Sequence, residues 1–237
     1  MRATSVMIAA MIETPSPNFD DRTSAVTIIV LHYTGMQDAA SAIARLCNPE
    51  AKVSSHYLVA EDGQVVRMVA EEKRAWHAGK SHWRGIDALN SCSIGIEIVN
   101  PGHEFGYRPF PEAQIDALIP LVGDIVARYG ITRGNVVGHS DIAPSRKQDP
   151  GELFPWYRLA RLRLALPRPT KNLMDPHWSD AGFLLALNRF GYDITDPFAA
   201  TVAFQRRFRS ELIDGTIDGE CRAILLALLL PKPTGDD

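Results

Sequence analysis

Three positions carry residue types that act together on metal ions: His32, His139 and Asp149. Two neutral imidazoles and one carboxylate form the ligand set of an open catalytic zinc site, with a fourth position left for water or substrate. With one anionic ligand the ion keeps a formal charge of about +1, enough to acidify bound water and polarise a carbonyl. A closed structural zinc would draw on cysteine instead, and Cys47, Cys92 and Cys221 stand far apart with no C-x-x-C pair. Taken singly, each histidine equally suits a surface or core position, and Asp149 before Pro150 suits a turn. Spacing alone leaves both readings open.

The elements that must position these residues read as a sheet with helices. Val26 to Leu31 is a continuous β-branched apolar run, a central strand covered on both faces, and His32 follows at its end. Asp38 to Cys47 has helical composition. His56–Ala60 and Gln64–Val69 flank Asp62-Gly63, a hairpin signal. Ser93 to Val99 alternates, with Ile94, Ile96 and Ile98 on one face and Ser93, Gly95 and Glu97 on the other. Pro111 opens a helix that Gly130 ends, with Ile115, Leu118, Ile119, Val122 and Val126 on one stripe. Asn135 to Gly138 is a short strand leading into His139. The pattern predicts an α/β fold with a mixed central β-sheet flanked by helices.

Composition narrows the class. With 25 Lys+Arg against 28 Asp+Glu and a formal net charge of −3, the chain is no basic nucleic-acid binder. The apolar run Ala223–Leu230 falls far short of the roughly 20 residues a transmembrane helix needs. Val6–Ile12 is short for a signal-peptide core and lacks a small-residue exit, so residues 1–19 are read as an N-terminal extension. The odd cysteine count fits a reducing compartment. No glycine-rich phosphate loop supports a nucleotide-using enzyme. The Leu166-Pro167-Arg168-Pro169-Thr170 stretch and Pro176 mark a linker at 166–176. It separates a domain at 20–165 from a helical segment at 177–232, followed by a tail at 233–237.

Five motifs in order carry a resemblance: His32-Tyr33-Thr34; Ser54-Ser55-His56-Tyr57; Trp76-His77-Ala78-Gly79; Asn90 through Glu97; and Gly138-His139-Ser140-Asp141 running to Lys147-Gln148-Asp149-Pro150-Gly151. Together they resemble the type 2 zinc N-acetylmuramoyl-L-alanine amidases, the AmpD/AmiD family, over roughly residues 20–160. The resemblance implies one Zn2+ held by His32, His139 and Asp149, with Glu97 and Lys147 as the catalytic pair. The implied reaction hydrolyses the amide between N-acetylmuramic acid and L-alanine in peptidoglycan or muropeptides. Glu97 would move the water's proton and Lys147 would place positive charge beside the oxyanion. Trp76 and His77 are expected to line the substrate groove, with Arg74 and Asn90 as further contacts; His56 is read as structural.

In 177–232 three helices are expected, at about 180–190, 197–208 and 220–229. Val202-Ala203-Phe204-Gln205 and the Asp214-Gly215-Thr216-Ile217-Asp218-Gly219 turn resemble the small helical peptidoglycan-binding module of wall hydrolases, Cys221 standing where threonine is usual. Arg206, Arg207 and Arg209 suit contact with wall-peptide carboxylates or a solvated helix face. The expected partners are peptidoglycan or a muropeptide, with no nucleic acid, and the chain is expected to be a monomer. A cytoplasmic location is the default expectation, the periplasm or cell envelope the alternative. Competing readings are a non-catalytic peptidoglycan recognition protein and a phage-type endolysin using the same chemistry.

Overall fold

The computed structural model describes residues 11–171 and 173–230. The strands are β1 (Ile12–Glu13), β2 (Phe19–Asp21), β3 (Ile28–Tyr33), β4 (Tyr57–Val59), β5 (Val65–Arg67), β6 (Lys73–Ala75), β7 (His82–Trp83), β8 (Ile86–Asp87), β9 (Ser93–Ile98) and β10 (Val136–Gly138). The helices are α1 (Ala39–Cys47), α2 (Gly102–Phe105), α3 (Glu112–Tyr129), α4 (His139–Ile142), α5 (Trp156–Arg161), α6 (Asp180–Phe190), α7 (Pro197–Phe208) and α8 (Gly219–Leu229). Six strands form the main sheet in the order β1-β5-β4-β9-β3-β10. Every pairing in it is parallel except the β4–β5 hairpin, so the expected mixed sheet is present. Ile12 pairs with Val66, so the edge of the sheet takes in part of the stretch expected as an N-terminal extension. Of the expected extension and tail, residues 1–10 and 233–237 lie outside the described residues.

The apolar run before His32 becomes β3, whose residues Ile28 to Leu31 are all buried because both sheet faces are covered. Ile29 and Leu31 join Ile94, Ile96 and Ile98 of β9 beneath α3. The helix begins after Pro111 and ends at Gly130 in the left-handed conformation, as the sequence implies. Its buried stripe differs slightly: Leu121 and Ile125 are inside, whereas Ile119 and Val126 sit at the margin. On the opposite face, α1 covers the β4–β5 side through Ala42 and Leu46 packed near Leu58 and Val66. Asp38 caps that helix by accepting the Ser41 N–H at 2.7 Å.

The three C-terminal helices form where expected, and they cover the β3–β10 side of this second face. Ile28, Val30, Val137 and Trp83 share one apolar cluster with Phe183, Leu187, Phe204, Phe208 and Ile224. The two expected domains therefore have a continuous core. The turn that Gln205 faces explains the sequence motif there: its Oε1 accepts the N–H groups of Asp214 and Gly215, and its Nε2 donates to the Thr216 carbonyl.

The arginine cluster requires a correction. Arg207 and Arg209 are buried, and Arg206 is half-buried. They point inward because each meets a carboxylate: Arg206 meets Glu152, Arg207 meets Asp141, and Arg209 meets Asp214 and Asp218. They offer no open basic face for wall carboxylates.

Burying a large apolar side chain contributes roughly 1.5–3 kcal/mol, and a whole domain is stable by about 5–15 kcal/mol. Uncovering Ile28, Val30, Val137 and Trp83 would thus consume most of the stability. Truncation after residue 170 is expected to abolish cooperative thermal unfolding of residues 1–170, checked by circular dichroism and calorimetry. A sharp transition near that of the full chain would show that the core does not depend on α6 to α8.

Candidate metal centre

Strand register brings the chemistry together. His32 pairs with Glu97 across β3 and β9, and Gly138 of β10 pairs with Leu31, so His139 emerges beside His32. Glu97, His32 and His139 thus form a row at the carboxyl ends of three neighbouring parallel strands, the usual location of ligand sites in parallel sheets. Asp149 completes the group from the loop after α4, whose Ser140 N–H donates to the Asp149 carbonyl at 2.8 Å.

His32 Nδ1, His139 Nδ1 and Asp149 Oδ2 lie 3.0, 3.1 and 3.0 Å apart, and all three residues are buried. The surrounding hydrogen bonds settle where the imidazole protons reside. Ser93 Oγ donates to the Leu89 carbonyl at 2.6 Å, so it accepts from His77 Nε2 at 3.2 Å. His77 Nδ1 then accepts from His32 Nε2 at 3.0 Å, which leaves His32 Nδ1 a bare lone pair. His139 Nε2 donates to the Ala78 carbonyl at 3.2 Å, leaving its Nδ1 bare as well. Two lone pairs and a carboxylate oxygen therefore converge with no proton between them. Such a triangle is self-repelling unless a cation sits against it, and the donors suit zinc.

Electrostatics agree with that use. Burial, and then the neighbouring His139, push His32 down to about 4, so its ring is neutral at physiological pH. Glu97 moves the other way, raised by burial and then by the charge of Asp149. One of its oxygens, Oε2, is sealed from solvent without a hydrogen-bond partner. A carboxylate in that condition gains from accepting or holding a proton.

These groups line a cleft of about 260 Å³ whose walls include Tyr33, Met36, Arg45, Trp76 and Lys147. Of the residues expected from sequence, His32, His139, Asp149, Glu97, Lys147, Trp76 and His77 all border it. Arg74 and Asn90 do not. Arg74 is held by Asp20 in a two-pronged pair at 2.5 and 2.6 Å. Asn90 accepts the N–H groups of His77 and Ala78 at 3.1 and 2.7 Å, and so positions the loop that orients both ligand histidines. His56 is structural as expected, its Nδ1 accepting the Gly95 N–H at 3.0 Å. Sequence reading missed Arg45, an exposed residue on α1, because helical composition alone does not show which face meets a cleft.

A mixed sheet with this donor set at its strand ends fits the class of metal-dependent hydrolases. The model of the Amidase_2 family, N-acetylmuramoyl-L-alanine amidase, matches residues 22–152, and the chain belongs to that family. It is 40% identical over 230 residues to the N-acetylmuramoyl-L-alanine amidase AmiD of Escherichia coli K12, covering 86% of this chain and 82% of AmiD. The structure of E. coli AmiD in complex with the substrate anhydro-N-acetylmuramic acid-L-Ala-D-γ-Glu-L-Lys superposes with a TM-score of 0.79 at 38% identity, covering 89% of this chain and 91% of that one. Pseudomonas aeruginosa AmpDh3 in complex with anhydromuramic pentapeptide gives a TM-score of 0.78 at 34% identity, covering 96% of each chain. The chain is accordingly an N-acetylmuramoyl-L-alanine amidase. Among the described residues, no helix is long and apolar enough to cross a membrane.

Gly95 is required by close approach: a Cβ there would lie 2.4 Å from His77 Cγ. Gly95→Ala is therefore expected to displace His77 and free the His32 ring. Zinc affinity should fall by about 10- to 100-fold, the usual effect of losing a partner behind a ligand, measured by competition with a chromophoric chelator. Unaltered affinity would show that the His77 relay does not govern the ligand.

Proposed function

We propose that the protein hydrolyses the amide joining the lactyl group of N-acetylmuramic acid to L-alanine in muropeptides that carry an L-Ala-D-γ-Glu stem. The observation that carries this reading is the His32–His139–Asp149 triangle with the raised Glu97, one of whose oxygens is buried without a partner, on the adjacent strand. His32, His139 and Asp149 would hold the zinc. When bound, zinc supplies Lewis-acid polarisation of the scissile carbonyl and acidifies the attacking water. Glu97 accepts the water's proton and returns it to the departing amine of L-alanine. Lys147, two residues before Asp149 on the cleft wall, places positive charge beside the oxyanion as it develops. Trp76 and Tyr33 supply aromatic walls against which the sugar and peptide pack.

Relatives seen with anhydromuramic peptides support soluble anhydro-muropeptides as substrates. A γ-linked glutamate leaves its α-carboxylate free two residues from the scissile bond. Arg45, with its exposed side chain at the cleft, is a cation suited to that carboxylate.

Glu97→Gln keeps the shape but loses the base. It is expected to lower kcat by about 10²- to 10⁴-fold while one zinc per chain remains, measured by chromatographic release of free stem peptide and by metal analysis. Full activity in that variant would remove Glu97 from the mechanism. Arg45→Ala should raise KM about fivefold, the scale of an exposed ion pair, for a muramyl peptide with a free glutamate α-carboxylate. It should leave KM unchanged for the α-amidated peptide, and an equal rise for both peptides would exclude the contact.

A further inference from the structure

We propose that the C-terminal helices act as a clamp on the metal-ligand segments, with Tyr192 and Arg207 as positioning residues acting through Asp141, and Arg206 acting through Glu152. The inference rests on the metal reading above and concerns side chains that touch neither substrate nor ion.

Helix α4 starts at the ligand His139 and contains Asp141, which is buried. Asp141 Oδ2 accepts the Gly138 N–H at 2.7 Å, fixing the turn from β10 into His139. Its other oxygen accepts the Tyr192 hydroxyl at 2.5 Å, from the segment just after α6. Arg207 of α7 brings its Nε to 3.8 Å from Oδ2 and lays its guanidinium 3.4 Å from the centre of the Trp156 ring. Tyr192 and Arg207 are themselves buried. The carboxylate that shapes the His139 turn thus takes one of its two hydrogen bonds and a neighbouring positive charge from the C-terminal lobe. A buried carboxylate stripped of such partners is strongly disfavoured and moves toward solvent, and here that movement would carry the turn with it.

A second strap reaches the other ligand segment. Arg206 Nε lies 3.6 Å from Glu152, three residues beyond Asp149. Glu152 also receives His103 Nε2 at 3.2 Å, and Tyr33 donates to His103 Nδ1 at 3.0 Å, so the strap runs back to the residue following His32. The two ligand segments are tied to one another by tight packing, since a Cβ on Gly138 would meet Pro150 Cδ at 2.7 Å. Adjacent arginines on one helix therefore set positive charge beside the carboxylates that flank both His139 and Asp149, at ion-pair rather than hydrogen-bond distance.

The test uses the full-length zinc-loaded protein and three variants, Tyr192→Phe, Arg207→Met and Arg206→Gln. Arg222→Ala serves as control because it breaks the Arg222–Asp175 pair, which lies in the C-terminal region away from the ligand segments. Zinc release to a chromophoric chelator is expected to quicken about tenfold in each of the three variants, and the visible absorption of the cobalt-substituted protein should shift. The same variants should lose kcat with KM unchanged, and Arg222→Ala should match wild type in every readout. Should Arg207→Met fail to fold by near-ultraviolet circular dichroism, Tyr192→Phe, which removes one oxygen, and Arg206→Gln carry the comparison. A wild-type chain that retains no zinc overturns the metal reading and the clamp with it. A wild-type chain that retains one zinc, with all folded variants releasing it at the wild-type rate, overturns the clamp alone. Equal acceleration by Arg222→Ala also overturns it, since general loosening would then explain the effect.

Discussion

Two imidazole lone pairs and a carboxylate oxygen are forced together within 3.1 Å beside the strand ends of a mixed sheet, and much of the molecule serves to keep them there. The repulsion among them has no internal remedy, because the protons that could relieve it are committed elsewhere. His77, Ser93 and the Leu89 carbonyl take up the far side of His32, and the Ala78 carbonyl takes up the far side of His139. Gly95 leaves the space that His77 fills, and Asn90 holds the loop that supplies both partners. The cost of this arrangement without metal becomes affinity once a cation is present, which is how preorganised sites gain selectivity.

The two faces of the sheet divide the labour. One is closed by α3 over Ile94, Ile96 and Ile98, a conventional apolar layer. The other is covered in two patches, by α1 over β4 and β5 and by the C-terminal helices over β3 and β10. His32 and Glu97 lie on this second face, and the cleft occupies ground that neither patch covers. Function here sits in a deliberate gap between two hydrophobic layers. The cleft itself is walled by α1 and by the segments that carry the ligands, while the C-terminal lobe stays behind them.

Those parts of the fold governed by local pattern were legible in the sequence. The β-branched run of β3, the clean alternation of β9 and the Pro111-to-Gly130 helix all follow from spacing and capping. The three C-terminal helices emerge almost to the residue for the same reason. The row of Glu97, His32 and His139 was legible as residue types, and five motifs in order gave the ligand set as a resemblance. What the sequence hides depends on contacts made across long separations. Strands as short as β1 and β7 have no period to detect and exist only through their partners. Arg207 reads as a solvated lysine-like charge until Asp141 and Trp156, far away in sequence, are seen to receive it. Asn90 fits a substrate contact by type, and only the folded loop shows its oxygen occupied by two backbone N–H groups.

The loop from Trp76 to Lys80 supplies a partner to each ligand histidine, and Arg146 from the ligand-bearing loop ties back to it through the Ala78 and Lys80 carbonyls. One short stretch of backbone is therefore a shared support for metal ligands that come from strands separated by more than a hundred residues in sequence. The same loop also bears Trp76 on the cleft wall, so the support behind both ligand rings and one face of the substrate groove are a single piece of backbone.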